Sequence, residues 1–197
     1  MAIELEESFQ VSAPVDDVWR FLLDPHQVVQ CMPGAELDEV SGDGTFLGRI
    51  KVRVGPIVAT YKGRVPFTSV DEAAHTIQMV AEGLEAGGGT ARGTMSSRLT
   101  ALPGGGTEVL AKANTEITGR IAQFGRGMVQ GVSKQLFQQF AASVKERLEA
   151  AEGAAAPPPE PGEKRAVSVL PLVFGYLWSA ITGFFRRLFR RGKQPGA

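Results

Sequence analysis

The chain has 197 residues, 21 Lys/Arg and 21 Asp/Glu, enough for one ordinary domain and an appendage. The zero net charge hides an asymmetry: from Pro157 onward there are seven Lys/Arg and two Asp/Glu, so this segment carries +5 and the preceding chain −5. A net-acidic domain argues against a nucleic-acid surface, and one cysteine with two histidines excludes an internal disulfide and any zinc set with ligand spacing.

The N-terminus MAIELEESFQV has early carboxylates and no apolar h-region, unlike a secretory signal. The globular part is expected in the cytoplasm. Ile3 to Val11 alternates apolar and polar residues as a first strand. Ser12-Ala13-Pro14 stops it, and Pro14, Asp16 and Asp17 favour the start of a short helix with an apolar face of Val18, Trp19, Leu22 and Leu23. Asp24-Pro25 caps a second helix through His26 to Gln30, which Met32-Pro33-Gly34 ends.

From Ala35 to Thr118 the chain reads as strands punctuated at Gly42-Asp43-Gly44, Gly55-Pro56, Asp71-Glu72, Gly87-Gly88-Gly89 and Pro103 to Gly106. Consecutive hairpins predict an antiparallel sheet. Strict alternation in Arg49 to Val54 and in Thr90 to Thr100 makes one face wet and the other covered. The covered face holds Ala59, Gly63, Ala81, Gly83, Gly93, Ser97, Ala111 and Ala113 beside Ile57, Tyr61, Phe67, Met79, Met95, Val109 and Ile117. So many small residues leave a void beneath a helix unless they serve only to let the sheet coil. The void is favoured.

Gly119 to Ala150 then gives the longest helical pattern, with Ile121, Phe124, Met128, Val132, Leu136, Phe140, Val144 and Leu148 on one face. Gly125, Gly127 and Gly131 each cost about 1 kcal/mol of helix propensity relative to alanine. They serve either close packing on the sheet or a slim helix over a cavity mouth.

This order of one strand, two short helices, a curved antiparallel sheet and a long helix resembles the helix-grip fold of the START-like superfamily, an α+β class. Ala13-Pro14 with Val18-Trp19, Leu22 and Asp24-Pro25, then Cys31-Met32-Pro33-Gly34-Ala35, resembles the CoxG family of carbon monoxide dehydrogenase subunits. Gly55-Pro56-Ile57 with Tyr61 and Gly63 adds to the likeness, which covers about residues 1 to 150. The resemblance implies an apolar ligand held between sheet and helix, an accessory role to a molybdenum-containing dehydrogenase, and a C-terminal membrane anchor.

No catalytic or metal-binding set is read from the residues. Cys31 stands at a helix C-terminus, which disfavours a thiolate, and His26 and His75 have no nucleophile at readable spacing. Tyr61 projects inward, where a phenol needs a partner, either a ligand carbonyl or a backbone carbonyl. Met79, Met95 and Met128 with Phe46, Tyr61, Phe67 and Phe124, over Ala111 and Ala113, form the expected ligand-binding set for a flat apolar molecule.

The domain is read as residues 1–151, a Pro-rich flexible linker as 152–165 and a membrane-anchoring tail as 166–197. Ala166 to Phe185 has no charge and the length to span a bilayer. A span would place Arg186, Arg187, Arg190, Arg191 and Lys193 outside, against the positive-inside bias. Leu172, Phe174, Leu177, Trp178, Ile181, Phe184 and Phe185, with basic residues opposite, suit a helix lying in the interface. In-plane insertion is favoured over a span and over docking on a protein.

Together, fold, tail and implied partner lead to a non-enzymatic binding protein at the cytoplasmic side of the cell membrane. Its expected ligand is a quinone, menaquinone or ubiquinone, carried between the bilayer and a molybdenum-containing carbon monoxide dehydrogenase, with no covalent cofactor. The alternatives are a recruitment or assembly factor without ligand transfer, another lipid-binding protein of this fold, or an enzyme such as a cyclase.

Overall fold

The computed structural model describes residues 1–155. Strand β1 (Ala2–Val11) leads into helices α1 (Val15–Leu23) and α2 (Pro25–Cys31). Seven strands follow: β2 (Ala35–Val40), β3 (Phe46–Val54), β4 (Ile57–Val65), β5 (Phe67–Asp71), β6 (Thr76–Glu85), β7 (Thr90–Ala101) and β8 (Thr107–Ile117). A 3-10 turn (Arg120–Phe124) and helix α3 (Arg126–Ala155) complete the described chain.

Local chemistry sets these boundaries. Asp24 caps α2 by accepting a 2.9 Å hydrogen bond from the His26 backbone N–H, the role expected of it. Pro14 is the cap residue of α1 itself, with no side-chain cap hydrogen bond. The predicted continuous helix from Gly119 is instead broken. Gly119 and Gly125 take φ of 78° and 79° with ψ of −155° and 157°, an extended positive-φ backbone that only glycine adopts readily and that no helix can contain, so Arg120–Phe124 forms its own turn and α3 begins at Arg126.

The eight strands form one antiparallel sheet in the order β1-β8-β7-β6-β4-β3-β2, with β5 also paired to β6. The long run of hairpins explains the antiparallel pairing. Two joins are not hairpins: β4 pairs with β6 past the intervening β5, and β1 returns to β8, from Ala2 opposite Glu116 to Val11 opposite Thr107. Helix α3 lies across the second join, where Lys134 pairs with Glu7 at 2.9 Å and the Gln130 amide donates to the Glu4 carbonyl at 3.3 Å.

The apolar core beneath α3 is divided. One cluster joins Phe9, Val11, Trp19, Leu99, Val109, Val144 and Leu148. The other joins Ile3, Val54, Ala59, Tyr61, Ile121 and Val129. Thr107, fully buried, donates its hydroxyl to the Ala13 carbonyl at 2.8 Å and ties β8 to the entrance of α1.

Helix α3 extends to Ala155, into the first residues of the stretch read as linker 152–165. The remainder of that stretch and the whole tail 166–197, with its proposed membrane residues Leu172 to Arg191, lie outside the described residues. No helix among the described residues is long and apolar enough to cross a membrane.

Candidate functional site

Between the two core clusters lies a cavity of about 430 Å³. Its floor is a row of residues in direct cross-strand register: Gly48 on β3, Gly63 on β4, Gly83 on β6, Ala91 on β7 and Ile117 on β8. Backbone approach dictates the glycine at position 63, because a Cβ there would stand 1.9 Å from the Glu82 carbonyl oxygen. At Gly83 a Cβ would meet the Tyr61 Cβ at 3.2 Å. The row thus lets the strands bend closely while leaving the space above it unfilled.

The walls are apolar. Leu22 from α1, Val28 and Val29 from α2 with Met32 just after it, Ile50 and Val52 from β3, and Val132 and Leu136 from α3 surround the space, with Phe67, Met79, Ala81 and Met95 on the central strands. Phe46 packs edge-on against Phe67 with centroids 5.0 Å apart. Val54, Ile121 and Val129, each 2–3 % exposed, close one end. Val29, Met32, Ile50, Val52, Val132 and Leu136 are only half-buried, so access lies between α2, β3 and α3.

Five of the residues expected from sequence to bind ligand meet here: Phe46, Tyr61, Phe67, Met79 and Met95. Four do not line the cavity. Phe124 and Met128 sit over the β3–β4 turn, where a Cβ on Gly55 would be 3.3 Å from the Phe124 ring and 3.8 Å from the Met128 sulfur. Met128 is 48 % exposed. The positive-φ break at Gly125 redirects both residues from the course of an unbroken helix. Ala111 and Ala113 face inward, but stand opposite Glu7 and Leu5 of β1, beside the strip of sheet that α3 crosses. Ala113 borders a separate polar hollow with Glu4, Lys112 and Asn114.

Glu36, Arg49, Arg64, Glu82 and Ser133 also border the space, and the buried polar groups left unpartnered among the described residues stand at the closed end. Tyr61 is 7 % exposed, and its hydroxyl has no hydrogen-bond partner among the described residues. Burial pushes the Tyr61 phenol above its ordinary range; the Glu85 carboxylate adds to the shift and the Arg120 guanidinium opposes it. Glu85 stands directly opposite Tyr61 on the neighbouring strand. Its Oε1 accepts from Arg120 Nη2, while its buried Oε2 has no partner among the described residues. Glu85 was legible in principle, since it continues the inward series Ile77, Met79, Ala81, Gly83 on β6, where a charge is out of place.

The other chemically capable groups stay apart from this site. Cys31 is 2 % exposed, and burial raises its thiol, with Arg147 opposing, which makes it a poor nucleophile. His75 stacks edge-on against Trp19 at 5.3 Å and lies 3.6 Å from Asp16. No group of three potential metal ligands occurs among the described residues.

In structural comparison, a conserved protein from Geobacillus kaustophilus superposes with a TM-score of 0.69 at 19 % identity, over 76 % of this chain and 97 % of that one. The Zhui aromatase/cyclase from Streptomyces sp. R1128 gives 0.60 at 19 % identity, over 79 % and 99 %. A START superfamily protein from Mycobacterium smegmatis gives 0.53 at 12 % identity, over 75 % and 98 %. At these identities the likeness is one of fold, and it makes this the START-like helix-grip architecture. No curated protein matches in sequence. The family model for CoxG, a carbon monoxide dehydrogenase subunit, matches residues 8–149, which include both short helices, the strands of the cavity floor and most of α3. The chain belongs to the CoxG family of carbon monoxide dehydrogenase subunits.

Proposed function

We propose that this protein is a non-enzymatic quinone carrier, taking menaquinone or ubiquinone between the inner face of the cytoplasmic membrane and a molybdenum-containing carbon monoxide dehydrogenase. The observation that carries the reading is the cavity: about 430 Å³, walled by apolar side chains, with one unpartnered phenol hydroxyl. A buried hydroxyl without a partner costs about 1–3 kcal/mol, and a carbonyl on an otherwise apolar ligand would relieve that cost. A quinone head group has this character. Its isoprenoid chain would leave through the half-buried opening between α2, β3 and α3.

Two further features support the setting. Family membership connects the chain to carbon monoxide dehydrogenase. The basic, apolar segment 166–197 has the composition of a membrane-binding tail, so a domain tethered by residues 156–165 would work beside the lipid in which quinones dissolve.

The test is mass spectrometry of an organic-solvent extract of the full chain, purified without detergent from the cytoplasmic membrane of its own cells. About one quinone per protein is expected. Recovery of a different stoichiometric lipid would replace the ligand and keep the carrier. Recovery of none, together with retention of dehydrogenase at the membrane, would refute the carrier and leave a recruitment factor.

A further inference from the structure

Beyond Lys51 the β3–β4 hairpin leaves the body of the sheet. On one side, β2 reaches no further along β3 than Ala35 opposite Ile50, followed by a 2.8 Å hydrogen bond from the Lys51 backbone N–H to the Gly34 carbonyl. On the other, β6 pairs with β4 only from Tyr61 to Arg64. Within the sheet, residues Val52 to Thr60 therefore pair only with one another, as a two-stranded arm. The inner face of the arm, with Val54 and Ala59, packs on Ile121 and Val129, and a two-stranded ribbon needs such support to persist in water. Val52, at the root of the arm, lines the cavity mouth with Val132 and Leu136 of α3.

The outer face and tip combine charge with exposed apolar surface. Lys51, Arg53 and Lys62, and Arg126 at the start of α3, are exposed and have no ion-pair partner among the described residues. Arg53 stands opposite Val58, which is 37 % exposed, and Lys62 opposite Leu84, which is 69 % exposed. Pro56 is exposed at the turn, and Met128 lies beside that turn. Carboxylates on the adjoining strands, Glu36 and Asp38 on β2 and Glu82 on β6, are paired with Arg49, Arg64 and Arg92. No carboxylate occurs between Asp43 and Asp71, nor between Glu116 and Glu146, although the chain before Pro157 carries −5. A domain of that charge is repelled by an anionic surface unless it turns a basic face to it. Cations interleaved with apolar side chains suit a lipid interface, where the apolar groups enter the head-group boundary and the cations stay at the phosphates.

We propose that the β3–β4 arm is a membrane-contact surface of the folded domain, setting Pro56, Val58 and Met128 into an anionic lipid surface with Lys51, Arg53 and Lys62 on its head groups. The contact is separate from any made by segment 166–197. It brings the cavity mouth, whose rim includes the root of the arm, next to the bilayer, so that an apolar ligand passes between lipid and cavity without crossing water. The inference rests on the reading that this protein works at a membrane, and it holds whichever apolar lipid the cavity takes.

The test uses the full chain and vesicles of phosphatidylcholine with phosphatidylglycerol, carrying a doxyl-labelled lipid that quenches a nearby fluorophore. Val58→Cys and, as the reference, Ser8→Cys on the outer face of β1 are labelled with a thiol-reactive bimane, and wild type treated in the same way corrects for the buried Cys31. Quenching is expected at position 58 and not at position 8. Each cation at an anionic surface strengthens contact by roughly fivefold, so replacing Lys51, Arg53 and Lys62 together by glutamine should weaken the arm's contact by roughly 100-fold and bring quenching at position 58 down to that at position 8. A chain that sediments with the vesicles but shows equal quenching at the two positions overturns the arm and leaves attachment to segment 166–197. Unchanged quenching in the folded triple variant also overturns it, as does a label at position 58 that vesicles leave exposed and added carbon monoxide dehydrogenase shields. A chain that stays in the supernatant overturns the membrane setting itself, and the arm with it.

Discussion

Filling the cavity separates a true void from packed core. Ala81 lines the space from β6, between Met79 and Gly83 on the same face and opposite Gly93 on β7. Ala81→Phe places a phenyl group in it. An apolar cavity of about 150 Å³ accommodates benzene, so one ring would take roughly a third of the 430 Å³ and obstruct a flat ligand. In packed core such a change costs about 1–3 kcal/mol, and each kcal/mol lowers the melting temperature of a protein this size by roughly 2–4 °C. Ala59, 1 % exposed and within a core cluster, supplies the comparison. Ala59→Phe should melt lower by about 2–12 °C on that scale, and Ala81→Phe by clearly less than Ala59→Phe, because the buried ring offsets its own strain. Thermal melting and solvent extraction of the same preparations read both quantities. Ala81→Phe destabilised as much as Ala59→Phe would show packed core, and a stable variant with its full ligand content would show that the ligand lies elsewhere.

Burial and Glu85 both raise the Tyr61 phenol, so its phenolate absorbance, identified by difference from Tyr61→Phe, should appear above the ordinary value of about 10. With the folded value above the unfolded one, the native state binds the proton more tightly. The resulting stabilisation is complete below about pH 10 and is lost as pH rises through the folded value; stability of Tyr61→Phe that falls as steeply there would contradict this. Cys31, the only cysteine, is buried with its thiol raised, so a thiol reagent should modify the native protein only at the rate of its opening, and immediate labelling would place it at the surface. Replacing Arg186, Arg187, Arg190 and Arg191 together by glutamine should weaken binding to anionic vesicles by roughly 1 kcal/mol per charge. Vesicle binding that stays the same would remove electrostatics from the anchor.

The face of each strand was legible from alternation alone, because the two-residue period of a strand fixes which side a residue takes. It says nothing of where along the sheet the helix lies. Ala111 and Gly83 both read as small inward residues, yet one stands beside the crossing of α3 over β1 and the other on the cavity floor. Smallness has two causes here, close approach of a helix and close approach of neighbouring strands, and only the cross-strand register that aligns Gly48, Gly63 and Gly83 distinguishes them. The broken start of α3 misled in the same way. Apolar spacing continued through Gly125 without interruption, but the φ of 79° at that glycine carried Phe124 and Met128 to the β3–β4 turn. Glu85 teaches the converse lesson. Its inward position on β6 was available from the same alternation that placed Met79, and a carboxylate on an apolar face costs several kcal/mol unless something holds it. Arg120 holds one oxygen. The other lies where a Cβ on Gly89 would come within 3.1 Å of it, so the glycines of the β6–β7 hairpin are the room that this carboxylate requires.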